Sequence, residues 1–279
     1  MDNMKKPLVS VIMGTYNCEG TIRKSIESIL KQSYTNWEFI ICDDASTDRT
    51  YKICREYEDR DGRIRIIKNK QNRKLAAALN RCLEIAKGTY IARMDSDDIS
   101  LPGRLEKEVD FLESHAGIDV VGCCCYIFNG KSVIARRMYQ EYPKKQDLLL
   151  RPPYLHPAIC MRRQVYEKLH GYVSDKRTVR AEDLDLWFRF YEKGYTGYNM
   201  QEYLYIYRET IGDYKKRTLK AGIETAKVFL NGYRRLHFPW YLYPFAFKPV
   251  VSALLPDKFM YYFHNSGKRR QYLFEGSLF

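Results

Sequence analysis

A cluster of carboxylates in one short turn is the sharpest chemical signal in the 279-residue sequence. Asp95, Asp97 and Asp98 directly follow an apolar run. Three carboxylates this close repel one another unless a cation joins them, and hard oxygen ligands suit Mn²⁺ or Mg²⁺, which commonly also bind substrate phosphate. A turn that only caps the helix opened by Pro102 is the alternative. Because the turn lies beside other polar strand ends, we expect a metal site.

A second group of polar residues follows two earlier apolar runs. Thr15 and Tyr16 end the first run, and Asp43 and Asp44 end the second. A carboxylate in this position can accept a hydrogen bond from the ring N–H of uracil or guanine, and Tyr16 offers a face on which the base can stack. A plain turn with Ser46 as a helix cap is an equally good interpretation of the acidic pair alone.

A third pair of acids, Glu182 and Asp183, opens a predicted helix. The helix dipole favours negative charge there, and an ionised carboxylate beside a reacting hydroxyl can serve as a general base. Ordinary enrichment of acids in a first helical turn is the alternative. Arg180 and Arg189 either pair with these acids or contact a leaving diphosphate, and His156 is either part of an acceptor site or an ordinary loop histidine.

Alternating apolar runs and helical stripes must position these residues. Each of the first three strands is followed by a helical period, such as the stripe of Ile22, Ile26 and Ile29. Repeated units of this kind predict a parallel sheet with helices on both faces and ligands beyond the carboxyl ends of the strands. The predicted strands are 8–13, 37–42, 64–67 and 90–94.

Later segments are less regular. The sequence predicts a buried strand at 120–128 and a helix from Glu182 to Gly194, followed by a change of composition near residue 210. No G-x-G-x-x-G motif follows the first strand and no G-x-x-x-x-G-K-[ST] motif occurs, which argues against dinucleotide-binding dehydrogenases and P-loop enzymes.

Charge and cysteine content indicate which partners and which cellular compartment to expect. The net charge is +13, and residues 211–279 carry twelve Lys or Arg against four Asp or Glu. This asymmetry suggests nucleic acid, an anionic membrane or phosphate-bearing substrates as partners. The eight cysteines form no paired C-x-x-C motifs and are expected to be reduced. The short polar start before Leu8 does not have the form of a signal peptide, so we expect a cytoplasmic protein.

The segment 238–256 is apolar and aromatic but is interrupted by prolines and Lys248. These interruptions disfavour a transmembrane helix and favour an interfacial element on an anionic leaflet, at the inner face of the cell membrane. An additional helical layer on the catalytic domain is the alternative.

In combination, these segments resemble glycosyltransferase family 2, most closely the subgroup that builds bacterial exopolysaccharide, capsule and O-antigen chains. The motifs occur in order over about residues 8–208. They are Val9-Ser10-Val11-Ile12 through Tyr16-Asn17, Ser28 to Tyr34, Asp43 to Asp48, Leu75 to Asn80, Tyr90 to Asp98, Pro102, Arg104, His156-Pro157 and Glu182 to Trp187.

The resemblance implies an α/β fold of the GT-A type, with a Rossmann-like, mostly parallel sheet, helices on both faces and a C-terminal helical, basic-aromatic extension. It implies an inverting transferase that uses a nucleotide diphosphate sugar of the UDP, GDP or dTDP type. Asp97, with Asp95 and Asp98, would bind Mn²⁺ or Mg²⁺, and Asp95 would also contact the donor.

Other roles follow from the same resemblance. Asp183 would be the general base, while Thr15, Tyr16, Asp43 and Asp44 would bind the donor nucleotide. His156, Glu182 and Trp187 would line or support the acceptor site. The acceptor would be a sugar, in one version carried on a lipid diphosphate, with peripheral membrane contact through the C-terminal segment and no nucleic acid bound.

One segment departs from the family pattern. Family members commonly carry glycine before the helix rich in small residues, where this chain has Asn72-Arg73-Lys74. We expect Arg73 or Lys74 to contact donor phosphate there.

The predicted division is a nucleotide-sugar-binding part at 1–115, an acceptor-binding part at 116–210 and the extension at 211–279. A nucleotidyltransferase, an inactive nucleotide-binding homologue and a nucleic-acid-binding protein are the competing interpretations.

Overall fold

The strand-helix alternation of the first hundred residues forms four parallel strands in the computed structural model, which describes residues 6–175, 178–214 and 218–266. The strands lie in the order β3-β2-β1-β4, with β1 flanked by β2 and β4. Their bounds are β1 (Val9–Thr15), β2 (Trp37–Asp43), β3 (Ile64–Lys68) and β4 (Tyr90–Arg93), and the helices between them are α1 (Ile22–Leu30), α2 (Thr50–Glu58) and α3 (Lys74–Ile85).

The rest of the sheet is mixed in direction. β8 pairs antiparallel with β4 on one side and with β6 on the other, and β9 pairs parallel with β6. β5 pairs antiparallel with β9, and β7 pairs antiparallel with β6. Most paired residues are nonetheless in parallel ladders, as predicted. The bounds are β5 (Ile99–Ser100), β6 (Val120–Phe128), β7 (Val133–Arg137), β8 (Cys160–Arg162), β9 (Gly197–Arg208), α4 (Arg104–Ser114), α5 (Arg163–Lys168) and α6 (Glu182–Glu192).

Helices cover both faces of the sheet, which confirms the predicted layering. Alternate residues of β1 enter different cores: Val11 and Met13 pack with α1, α2 and α4, whereas Ile12 packs with α3 and α6. All seven residues of β1 are buried, as expected for a strand covered on both sides. All eight cysteines are free thiols, and Cys18 is the one that is not fully buried.

The C-terminal segment forms a helical layer on the catalytic domain. Helix α8 places Phe229 and Tyr233 against Phe188 of α6, in the same core that contains α3. Within the part of the chain that the structure describes, no helix combines the length and apolar character needed to cross a bilayer. The elements are α7 (Ile211–Tyr214), α8 (Leu219–Arg235), a 3₁₀ segment (Trp240–Phe247), α9 (Lys248–Leu254) and α10 (Asp257–Ser266).

Gly232 allows α8 to approach α6 closely, since a Cβ at this position would lie 2.2 Å from the ring of Phe188. We expect Gly232→Ala to destabilise the protein. Alanine improves helix propensity by about 1 kcal/mol, but overpacking a buried ring costs about 1–3 kcal/mol. Denaturant unfolding measures the difference. Gly62→Ala, which introduces a Cβ with nothing within 4 Å, is the control. A more stable Gly232→Ala would contradict the close packing.

Candidate active site

The three carboxylates predicted to bind metal converge after β4. One oxygen each from Asp95, Asp97 and Asp98 lies within 4.8 Å of the others. Asp95 and Asp97 are half-buried, whereas Asp98 is 1% exposed. The three side chains therefore form one acidic group that is open on one side.

Asp98 is fixed by elements far apart in the chain. Its Oδ1 accepts a hydrogen bond from the backbone N–H of Arg208 on β9 (2.7 Å), and its carbonyl accepts one from Ser25 Oγ on α1 (2.8 Å). Burial, followed by the charges of Asp97 and Asp95, raises the pKa of Asp98. Asp98 Oδ2 is buried without a hydrogen-bond partner among the described residues. A buried orphan oxygen beside two further carboxylates fits a hard divalent cation.

Arg93 places a buried positive charge behind this acidic group. Its Nη2 lies 2.8 Å from Asp95 Oδ1, while Nε and Nη1 have no hydrogen-bond partner among the described residues. The side chain is 2% exposed, and its charge partly opposes the rise that burial causes in the pKa of both Glu182 and Asp183. Sequence reasoning gave Arg93 no role. The available signal was an arginine inside an otherwise apolar strand, immediately before the acidic turn.

The ends of β1 and β2 are joined by hydrogen bonds between their loops. The N–H of Asn17 donates to Ser46 Oγ (3.0 Å), and the N–H of Thr47 donates to Asn17 Oδ1 (2.8 Å). Ser46 is therefore not the predicted helix cap, since α2 begins only at Thr50. Tyr16 projects from the same loop with 47% of its surface exposed, so its ring is available to a base.

Thr15 is largely withdrawn from this surface. Its side chain is 3% exposed and is hydrogen-bonded to Cys18 Sγ, while its carbonyl accepts the N–H of Asp44 (2.8 Å). Thr15 thus connects the first two strand ends through its backbone.

Asp43 and Asp44, at the end of β2, are both buried and have different hydrogen-bond partners. Asp44 accepts hydrogen bonds from Asn69 Nδ2 (2.7 Å) and from the N–H groups of Arg73 and Lys74 (2.9 and 2.8 Å). It therefore holds the turn that leads into α3. Asp43 Oδ2 accepts from the N–H of Ser46 (3.1 Å), but its Oδ1 is buried without a partner in the described part of the chain.

Lys74 adopts the backbone conformation that favours glycine, with φ of 70°. The hydrogen bond from its N–H to Asp44 offsets the strain, typically about 1–2 kcal/mol for a residue with a Cβ. This geometry fits the family pattern that the resemblance implies, in which glycine precedes the helix. Lys74 lines a cavity of about 750 Å³ together with Arg73 and Arg180, and two carboxylates, Asp175 and Glu182, complete its charged lining.

Glu182 and Asp183 begin α6 and are half-buried. Burial, then the charge of Asp183, raises the pKa of Glu182 from 4.5 to about 7. Burial also raises the pKa of Asp183, although the N–H of Leu184 donates to its Oδ1 (2.7 Å). A proton is therefore held near this pair close to neutral pH. Glu182 lines the 750 Å³ cavity, whereas Asp183 lines a separate cavity of about 420 Å³.

His156 and Trp187 support the site from within the core. His156 Nε2 is 2.8 Å from Tyr172 Oη, and its ring contacts that of Trp187, which is fully buried. Burial, then the charge of Arg93, lowers the pKa of His156 well below its ordinary value. The imidazole is thus neutral and lies behind the acids.

Arg189 proves to be structural. It pairs with Asp185 (2.7 Å) and donates to the carbonyls of Leu169 and Gly171. It therefore fixes α6 on the preceding loop, and neither Glu182 nor Asp183 is its ion-pair partner.

A carboxylate triad at the carboxyl end of a parallel sheet, together with a pair of acids at the start of α6, suits a transferase that uses a metal ion and a phosphate-bearing donor. Residues 10–184 match the family described as glycosyl transferase family 2. The chain belongs to this family, and its competing interpretation as a nucleotidyltransferase is set aside.

Relatives and neighbours agree with this assignment. The chain is 47% identical to "Putative glycosyltransferase EpsE" of Bacillus subtilis over 92% of this chain and 93% of that protein. It is 46% identical over 107 residues to the Escherichia coli protein WfaP, described as a UDP-Glc:alpha-D-GlcNAc-diphosphoundecaprenol beta-1,3-glucosyltransferase, covering 38% of this chain and 42% of that one.

A solved structure confirms the fold. The mannosyltransferase PcManGT of Pyrobaculum calidifontis, in complex with GDP-Man and Mn²⁺, superimposes with a TM-score of 0.64 at 20% identity. The match covers 94% of this chain and 81% of that one. The predicted GT-A architecture is thus confirmed.

The raised pKa of Glu182 predicts a stability change with pH. Between pH 4.5 and about 7 the folded state binds a proton that the unfolded chain has lost, so stability falls as pH rises through this window. We expect the free energy of unfolding of Glu182→Gln to exceed that of wild type by on the order of 1–2 kcal/mol at pH 8, with the difference gone at pH 4. Urea unfolding at both pH values is the measurement. Glu84→Gln, on the exposed side of α3, is the control, and a pH-independent difference would refute the account.

Proposed function

We propose that this family 2 glycosyltransferase moves a sugar from a nucleotide diphosphate donor to a hydroxyl of a lipid-diphosphate-linked acceptor, with inversion at the anomeric carbon, in bacterial surface polysaccharide assembly. The observation that carries the proposal is that two adjacent acids at the start of α6 face different cavities. Glu182 lines the cavity bounded by the basic turn at Lys74, and Asp183 lines the other. Two substrates then meet at adjacent carboxylates.

The donor nucleotide occupies the cleft beyond β1 and β2 in this proposal. Tyr16 stacks on the base, and the buried acceptor oxygen of Asp43 takes a ring N–H, with Asp44 holding the turn beside it. Thr15 supports this edge through its backbone, and the side chain of Lys74 neutralises donor phosphate. We assign residues 1–115 to donor binding and 116–210 to acceptor binding.

Asp97, with Asp95 and Asp98, would hold Mn²⁺ or Mg²⁺. When bound, the cation offsets the charge that develops on the departing nucleoside diphosphate. The orphan oxygen of Asp98 and the 4.8 Å spread of the three carboxylates support this assignment. The positive charge of Arg93 limits the mutual repulsion of these acids and keeps Asp95 in place.

Asp183 acts as the general base. Its carboxylate takes the proton of the acceptor hydroxyl as the oxygen forms a bond to the anomeric carbon. The bond from that carbon to the donor phosphate oxygen breaks, and the nucleoside diphosphate leaves from the opposite face. Burial raises the pKa of Asp183, which makes its carboxylate a stronger base, and the charge of Asp95 adds to this rise. His156 and Trp187 hold the surrounding elements.

The acceptor assignment rests on the relative WfaP, whose description names a diphosphoundecaprenol acceptor. A lipid-linked acceptor requires contact with a membrane, and the extension offers a suitable face. Trp240 is 83% and Leu254 70% exposed, with several other apolar side chains. Aromatic and basic residues together favour an anionic leaflet, and this supports our proposal that the enzyme works at the inner face of the cell membrane. Residues 267–279, which include three basic residues, lie outside the described residues.

The proposal is tested by thermal stabilisation with UDP, GDP, dTDP and CDP, each with and without Mn²⁺. A ligand at about 100 times its Kd adds roughly 2.7 kcal/mol of stability, which is several degrees in Tm. We expect one nucleotide with a ring N–H to stabilise the protein only when Mn²⁺ is present, and CDP, which lacks that N–H, to fail. Asp97→Ala should remove the shift, while Asp59→Ala, on the surface after α2, should keep it. No shift with any nucleotide would contradict the donor proposal.

Asp183→Asn tests the base. We expect transfer to fall by at least about 10²-fold, because an amide at this position cannot take the proton of the acceptor hydroxyl, while metal-dependent nucleotide binding is unchanged. Release of nucleoside diphosphate in the presence of acceptor measures transfer. Asp110→Asn, on the exposed side of α4, serves as the matched control. Transfer by Asp183→Asn at nearly the wild-type rate would rule out the assignment.

A further inference from the structure

The cavity lined by Asp183 lies between the catalytic domain and the C-terminal helices. Its volume is about 420 Å³, within the range of small-ligand sites. The catalytic domain supplies residues 150–152, 180–181 and 183–184, and the extension supplies parts of α8, α9 and α10. Neither part alone would enclose this space. The proposed base thus faces a chamber whose opposite wall is built by the extension.

Three cations line the chamber. Arg151 and Arg180 approach from the catalytic domain, and Lys248 stands at the first position of α9. All three are exposed, and Lys248 Nζ donates to the carbonyl of Leu150 (3.0 Å), which ties α9 to the loop that carries Arg151. Asp183 is the single carboxylate in the described lining. The balance of charge favours a dianionic or trianionic group next to the base.

The remaining wall is more apolar than polar. Ala221 and Gly222 of α8, Pro249 and Ala253 of α9 and Met260 of α10 form most of it, and the hydroxyl residues Thr218, Thr225 and Ser252 also line it. The apolar side chains offer van der Waals contact to a hydrocarbon chain, while the hydroxyl groups can donate hydrogen bonds to its polar head group.

The apolar wall continues onto the outer surface. Helix α9 turns Pro249 and Ala253 toward the chamber and exposes Val251 (59%) and Leu254 (70%) on its other side. Phe259 of α10 is also exposed. A chain that leaves the chamber therefore passes over apolar surface to the same face that we assign to the membrane.

We propose that this chamber is the binding site for the diphosphate and the first isoprenoid units of the acceptor lipid, with Arg151, Arg180 and Lys248 neutralising the diphosphate. The inference rests on the transferase function proposed above and names the acceptor subsite within it. Its location accounts for the separation of two phosphate-bearing substrates: Arg73 and Lys74 line the donor cavity, Arg151 and Lys248 line the acceptor chamber, and Arg180 lines both. The acceptor sugar, attached to the diphosphate, then lies beside Asp183.

The test uses three soluble probes on the full-length protein: farnesyl diphosphate, farnesol and inorganic diphosphate, with binding measured by calorimetry. We expect farnesyl diphosphate to bind without Mn²⁺ and at least about tenfold more tightly than either of the others, since both charge and chain are recognised. Arg151→Ala and Lys248→Ala should each raise its Kd about tenfold and leave farnesol unaffected. Lys227→Ala, on the outer side of α8 and paired with Glu224, is the control.

A second variant tests the apolar wall without changing charge. Ala253→Trp should fill the chamber and abolish farnesyl diphosphate binding while circular dichroism and the nucleotide-dependent shift in Tm remain as in wild type. Retained binding in this variant would exclude the chamber as the site.

The outcomes separate the two proposals. Absence of farnesyl diphosphate binding, equal binding of inorganic diphosphate, or unchanged Kd in the double variant Arg151→Ala/Lys248→Ala would overturn the acceptor site. If the Mn²⁺-dependent nucleotide shift persists in such a case, the donor half of the proposed function stands. If that shift is also absent in wild type, the transferase proposal itself has failed.

Discussion

The site depends on one buried positive charge among several negative ones. Arg93 lies on a central strand with 2% of its surface exposed, next to Asp95. It is close enough to the acids of α6 for its charge to oppose the rise in their pKa that burial causes. Without a cation there, the carboxylates of the acidic turn and those at the start of α6 would repel each other in a protein interior that screens charge poorly. The guanidinium therefore permits two carboxylate groups with different tasks to face one reaction space.

The sequence was sufficient to predict the parallel half of the sheet, because its signals are local. Apolar runs, helical stripes and acidic strand ends lie within a few residues of each other, and the structure has β1 to β4 close to the predicted bounds. The antiparallel pairing of β8 with β4 and β6 joins segments some forty to seventy residues apart, for which no local pattern exists.

Residue types in the site were easier to predict than their partners. The acids at 43–44, 95–98 and 182–183 are recognisable as a set, yet their contacts arise from tertiary folding. Asp44 holds the turn at Lys74, and Arg208 donates its N–H to Asp98 from a strand more than a hundred residues away. The role of Arg93 could not be predicted because it depends on the burial of the side chain, and arginine side chains are rarely buried.

The pairing of β5 with β9 also sets an order of events during synthesis. All three carboxylates of the acidic turn leave the ribosome about a hundred residues before Arg208, whose N–H holds Asp98. Domains tend to fold from the amino terminus as the chain emerges, and long-range pairings form last. The nascent protein thus contains the three carboxylates before the strand that fixes Asp98 has been synthesised. Metal affinity at this turn therefore depends on a chain that has been synthesised through β9, and a product that stops short of β9 would contain the acidic residues without the hydrogen bond that fixes Asp98.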